Sequence, residues 1–132
     1  RQYHQRCGDP MDMLGPLSHI ALVVSNPDRT AEFFHSVFGA RICRHRDEEG
    51  HDETYVQLGS TWLVLPEASV DRPLLGDHIA FRVAKEQLAH CADKLARLGH
   101  RCQMARNDTA LYFMDFDNHV FELECVGLPF QA

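Results

Sequence analysis

Three side chains set the chemical problem in this sequence. Glu122 lies in Asp117-Asn118-His119-Val120-Phe121-Glu122-Leu123-Glu124, where Asp-Asn supplies turn chemistry and the residues that follow alternate like a strand. A carboxylate among such apolar neighbours needs a partner, because burying an unpaired charge is costly. The tripeptide His-Ile-Ala occurs twice, at His19-Ile20-Ala21 and His78-Ile79-Ala80, and both copies open strand-like runs. Period-two alternation sends Ile, then Leu or Phe, then Val to one face and leaves His and Ala on the other. His19, His78 and Glu122 are therefore expected to project from three strands into one cavity. Two imidazoles and one carboxylate form a facial triad that suits a divalent transition metal and leaves positions open for water or substrate.

The elements that must position these residues repeat. The first strand, about Leu17 to Val24, ends at Ser25-Asn26-Pro27-Asp28, which offers an N-cap to a helix running through Thr30 to Phe38 and stopping at Gly39. Phe33, Phe34, Val37 and Phe38 form its buried stripe. A charged strand and loop, Arg41 to Asp52, is followed by strands Glu53 to Leu58 and Thr61 to Leu65 joined at Gly59-Ser60. After a linker, Pro66 to Gly76, the pattern restarts with strand Asp77 to Val83. A helix of about Lys85 to Leu98 closed by Gly99 follows, burying Leu88, Cys91, Leu95 and Leu98 while His90 and Lys94 face water. Strands come next near Arg101 to Met104, Ala110 to Met114 and Val120 to Val126. His45, His51 and His100 are read as exposed and without chemistry.

The chain thus reads as an internal duplication with an offset near 59 residues. That offset places Leu63 opposite Glu122, so a metal would have three protein ligands, as catalysis requires. It also carries Glu53 onto Tyr112.

With 132 residues, 45% hydrophobic and 24% charged, the chain is one ordinary globular domain. A formal net charge of −6 without a basic cluster argues against nucleic acid. No apolar run approaches membrane-spanning length, and no membrane partner is expected. Five cysteines without a Cys-x-x-Cys pair suggest free thiols and a cytoplasmic location. Residues 1–13, polar at first and holding Met11 and Met13, are expected to be a leader or expression remnant, with the domain over 14–132.

These features resemble the vicinal-oxygen-chelate superfamily, also known as the glyoxalase/bleomycin-resistance/dioxygenase superfamily. Within it they are most similar to fosfomycin-resistance proteins of the epoxide-hydrolase branch. The likeness rests on Leu17-Ser18-His19, Leu58-Gly59-Ser60-Thr61-Trp62, His78-Ile79-Ala80-Phe81 and Tyr112 through Leu123. It implies an α+β fold of tandem βαβββ modules, module one over 17–65, a linker over 66–76 and module two over 77–126. The modules would form a half-barrel cavity in a module-exchanged homodimer, with His19 of one subunit completing the site of the other.

By that resemblance the metal is Mn2+, with Fe2+, Zn2+ or Ni2+ as alternatives, and the substrate is a small molecule. Glu53, six residues before Gly59, matches the general base that activates water against the fosfomycin epoxide. Tyr112 matches a phosphonate-binding tyrosine, Arg106 is the chief loop cation, and Trp62 and Tyr55 would line the cavity wall. Departures are also present. The loop Arg101 to Thr109 is short, the tail Val126 to Phe130 has no arginine, Ala21 replaces a usual threonine, and Glu124 stands where a histidine is common. The competing readings are a thiol transferase, a ring-cleaving dioxygenase or another metal-dependent enzyme of the superfamily, and a metal-free drug-binding protein.

Overall fold

The computed structural model describes residue 8 and residues 13–69 and 71–130, so nearly all of the expected leader lies outside the described residues. Two helices and two four-stranded sheets alternate along the chain. Module one consists of β1 (Ile20–Ala21), α1 (Pro27–Phe38), β2 (Arg41–Arg46), β3 (Asp52–Leu58) and β4 (Thr61–Val64). Module two repeats the order as β5 (His78–Arg82), α2 (Lys85–Arg97), β6 (Cys102–Ala105), β7 (Ala110–Met114) and β8 (Val120–Glu124). The sheet orders are β1-β4-β3-β2 and β5-β8-β7-β6, so both modules are built alike and, among the described residues, share no ladder.

Local chemistry explains the boundaries. Asn26 caps α1 by accepting from Arg29 N at 3.0 Å, Pro27 takes a position where its missing N–H costs nothing, and Gly39 ends the helix at φ +69°. The β1 strand is shorter than the alternation suggested. Its pairing continues as single contacts, Leu22 N to Val64 O and Val24 N to Pro66 O, both 2.9 Å.

The core lies on the helix side of both sheets. Phe34, fully buried on α1, meets Phe121 of β8 with ring centroids 5.2 Å apart, and Phe33 meets Phe113 of β7 at 6.0 Å. The first helix therefore packs against both modules and ties them into one core. Burying such a ring is worth roughly 2–3 kcal/mol in transfer free energy alone. A cavity of about 640 Å3 also lies on this helix side, lined in part by Phe34, Phe38, Phe81, Phe121 and Lys94.

Three surface expectations are corrected here. Leu98 is 52% exposed, because it caps α2 beyond its last buried turn rather than extending the stripe. Lys94 is half-buried and donates to Val37 O at 3.2 Å, linking the helices. His100 is held between Phe33 and Phe116, at 4.3 and 4.9 Å between ring centroids, and this burial pushes its pKa below the usual histidine value.

Candidate active site

The open face of each sheet, away from its helix, carries the polar residues. On module two, one row across the register is Ala80, Glu122, Tyr112 and Gln103. His78 lies one pleat below Ala80 on the same parallel-paired strand, which brings it beside Glu122. Glu122 is only 5% exposed. Its Oε1 is 3.2 Å from His78 Nε2, and its Oε2 accepts a hydrogen bond from Arg106 Nη2. The other arm of that guanidinium, Nη1, donates to the Tyr112 hydroxyl at 2.8 Å. Hydrogen bonds to Tyr112 and then to Glu122 hold the Arg106 pKa above its ordinary value. Tyr112 also lies edge-on to His78, with centroids 6.0 Å apart.

The tautomer of His78 follows from its second contact. Nδ1 lies 2.9 Å from Gly76 O, and a carbonyl can only accept, so Nδ1 carries the proton. In the neutral ring, Nε2 then turns a lone pair toward a carboxylate oxygen. Two acceptors 3.2 Å apart require a cation between them, and a shared metal ion or a proton can meet that need. The donor set is that of a divalent transition metal.

Sheet one presents a second polar face. His19, exposed, precedes β1 and by alternation shares the face of Ala21, with its Nδ1 2.9 Å from Ser18 Oγ. Ala21 registers with Val64, and Val64 with Tyr55, which places His19 and Tyr55 on one face. The Tyr55 hydroxyl donates to Glu53 Oε2 at 2.5 Å, and this bond raises the Tyr55 pKa above its usual value. Trp62 registers with Gln57 on the same face, and the Arg41 guanidinium lies 6.0 Å from its ring.

The eight predicted site residues thus divide evenly. Glu53, Tyr55 and Trp62 lie in sheet one with His19 just before it; His78, Glu122 and Tyr112 lie in sheet two with Arg106 in the turn between β6 and β7. Within one chain His19 lies at sheet one, apart from His78 and Glu122 at sheet two. Among the described residues no group of three or more His, Cys, Asp or Glu side chains could hold an ion. The physical reason is topological: β1 pairs with β4, whereas His78 and Glu122 are brought together by β5 and β8. The cavity on the helix side is lined by none of these eight residues and by no carboxylate.

The register also corrects the internal symmetry. Ala21 faces Val64 as Ala80 faces Glu122, so Val64 rather than Leu63 is the counterpart of Glu122. Tyr55 pairs with Val64 as Tyr112 pairs with Glu122, so Tyr112 matches Tyr55 and not Glu53. A two-residue turn, Gly59-Ser60, joins β3 to β4, whereas five residues, Asp115 to His119, join β7 to β8. The hairpin from Cys43 to its partner Tyr55 is longer than the one from Gln103 to its partner Tyr112, and the turn before β8 is longer than the turn before β4, so the offset changes along the chain.

That longer turn contains a network that alternation did not reveal. Buried Asp115 accepts from Asp117 N and His119 N, both at 2.9 Å, while its Oδ2 lies 2.7 Å from His119 Nδ1. Asn118 follows the left-handed backbone at φ +64° and donates to Arg72 O at 2.8 Å. The one available signal was an Asp and a His four apart on either side of the turn. Glu124, the last residue of β8, holds the turn after it, its carboxylate accepting from Val126 N at 2.8 Å and from Gly127 N.

Comparison with known proteins agrees with this architecture. Residues 17–123 match the family model described as Glyoxalase/Bleomycin resistance protein/Dioxygenase superfamily. The fosfomycin resistance protein FosX of Listeria monocytogenes is 28% identical over 119 residues, covering 84% of this chain and 90% of that protein. The metallothiol transferase FosB of Staphylococcus epidermidis is 29% identical over 125 residues, covering 88% and 87%. A mutant of the Listeria FosX, solved with Mn(II) and 1S,2S-dihydroxypropylphosphonic acid, superposes with a TM-score of 0.77 at 27% identity, covering 88% of this chain and 95% of that one. With the family model spanning most of its length and both modules present, the chain belongs to the glyoxalase/bleomycin resistance protein/dioxygenase superfamily.

Proposed function

We propose that the protein is a metal-dependent enzyme of the fosfomycin-resistance type that opens a small epoxide by adding water. The observation that supports this reading is the placement of the eight candidate residues, four at each sheet. Setting sheet one of one chain against sheet two of another would unite them in a homodimer with two sites. His78, Glu122 and His19 of the partner subunit would hold the metal, Mn2+ by similarity to the Listeria FosX, and when bound it would supply Lewis acidity to an oxygen of the substrate.

The protein's own groups carry the remaining steps. Glu53 takes a proton from water as the water oxygen forms a bond to an epoxide carbon. The ring C–O bond breaks, its electron pair stays on the epoxide oxygen, and that oxygen takes up a proton. The net change is addition of one water to give a vicinal diol. Tyr55 already donates to one oxygen of Glu53 at 2.5 Å, which orients the carboxylate and leaves its other oxygen for water. Arg106 and Tyr112, joined at 2.8 Å, present donors to an oxyanion on the substrate. Trp62 would close the wall and exclude solvent.

Thiol transfer is the second reading, because the similar FosB is a metallothiol transferase. Phosphorus NMR of fosfomycin incubated with Mn2+-loaded protein and no thiol separates the two. Formation of the diol, lost in Glu53→Gln, is the expected result. A positioned base typically contributes ~10²- to 10⁴-fold in rate, so the variant should be slower by that order. Consumption of fosfomycin only after a thiol is added would replace hydrolysis by transfer.

A further inference from the structure

Glu122 serves two partners through its two oxygens, and the partner on Oε2 is a cation. Arg106 reaches it from the turn between β6 and β7, where Arg106, Asn107 and Asp108 have φ values of +49°, +54° and +61°. Three successive non-glycine residues in the left-handed region persist only where the surroundings hold them. Here Thr109 does so: its N–H reaches Ala105 O and Arg106 O, both at 3.2 Å, and its hydroxyl donates to Arg106 O at 2.6 Å. The guanidinium is thus aimed at Glu122 and Tyr112 by a fixed turn rather than by a free side chain.

A permanent positive charge on one oxygen of a metal-ligating carboxylate has an electrostatic consequence. It withdraws charge from the ligand and repels a dication placed between Glu122 and His78. An oxyanion that accepts hydrogen bonds from the same guanidinium neutralises that repulsion. We propose that Arg106 couples the two binding events: it weakens the hold on a divalent metal when no anion is bound, and a phosphonate-class dianion restores it. The inference rests on the metal reading above, and it assigns Arg106 a role in the order of loading as well as in substrate contact. Coupling between two ligands is reciprocal, so the metal must strengthen anion binding by the same factor.

The test measures free Mn2+ by electron paramagnetic resonance in titrations of the full-length protein, with and without methylphosphonate. For the unaltered protein, saturating methylphosphonate should tighten Mn2+ binding by ~5- to 150-fold, the usual range for coupled sites. Arg106→Gln should bind Mn2+ more tightly than the unaltered protein when no anion is present, and should lose most of the response to methylphosphonate. Arg106→Lys keeps the charge without the two-armed fork. It should stay weak without the anion and respond less than the unaltered protein, which separates charge from folding damage. If Arg106→Gln binds Mn2+ more weakly and keeps the full methylphosphonate response, Arg106 only orients Glu122 and the coupling is wrong. If the unaltered protein binds no Mn2+, and Glu122→Gln behaves identically, the metal reading itself falls and takes this inference with it.

Discussion

Tyr55 donates its phenolic hydrogen to Glu53 at 2.5 Å, two residues away on the open face of sheet one. The bond has a spectroscopic consequence independent of activity. Because the carboxylate favours the protonated phenol, it is the first cause of the raised Tyr55 pKa. Replacing Glu53 by Gln removes both the acceptor charge and its Coulomb contribution. The expected outcome is a fall of the Tyr55 ionisation toward its ordinary value, read as phenolate absorbance in an alkaline titration. Tyr55→Phe identifies the signal by deleting it. An unchanged titration in Glu53→Gln would show that the two side chains are not bonded in solution.

The Asp115 network makes a stability prediction. The carboxylate satisfies two backbone N–H groups and the His119 ring while 6% exposed. Asp115→Ala strands those buried donors, and leaving a buried donor unsatisfied costs about 1–3 kcal/mol. Urea denaturation should report a loss of that size. Because Asn118 and β8 follow directly, Asp115→Ala should also loosen Glu122 and weaken metal binding. A loss below about 1 kcal/mol would mean that water replaces the carboxylate at that turn.

Much of this architecture was readable in the sequence, for a definite reason. Strand alternation and helical stripes report burial against one face, so Phe33, Phe34 and Val37, the paired His-Ile-Ala strands and the Gly39 stop all appear in the chain itself. Seven of the eight candidate residues lie on or beside the open faces, and Arg106 reaches in from the β6–β7 turn. What could not be read depends on contacts distant in sequence. Lys94 turns inward because Val37 O on another helix accepts from it, and His100 is enclosed by Phe33 and Phe116. The symmetry of Tyr55 with Tyr112 was hidden by unequal turns, since a fixed offset cannot follow a change in loop length. Nor can alternation say which sheet faces which, so the sharing of a site between two subunits was implied by the family resemblance and not by the residues.

His100 gives a pH dependence with a clear sign. Burial between two phenyl rings lowers its folded-state pKa below the unfolded value, so the unfolded chain takes up a proton first as pH falls. The contribution is complete above the unfolded value, near 6.5, and is lost as pH drops from there toward the lowered folded value. Thermal unfolding between pH 7.5 and 5 should show stability falling with acid, by at most about 1.4 kcal/mol per pH unit from this one group. His100→Gln, which cannot titrate, should flatten that slope relative to the unaltered protein. An identical slope in the variant would place the acid sensitivity elsewhere.

The division of the site between two sheets yields a complementation experiment. His19→Ala and His78→Ala should each abolish metal binding when every subunit carries the change. In a module-exchanged dimer made from one subunit of each kind, one site contains both alterations and the other contains neither. That heterodimer should therefore recover Mn2+ binding at one of its two sites, together with turnover there. If the three ligands instead came from a single chain, every site in the mixed dimer would lack one histidine and nothing would be recovered. Differently tagged subunits, co-expressed and purified through both tags, isolate the heterodimer, and Mn2+ stoichiometry decides between the arrangements. Recovery is the expected result, because β1 carries His19 into sheet one while β5 and β8 hold His78 and Glu122 in sheet two, with no ladder between them.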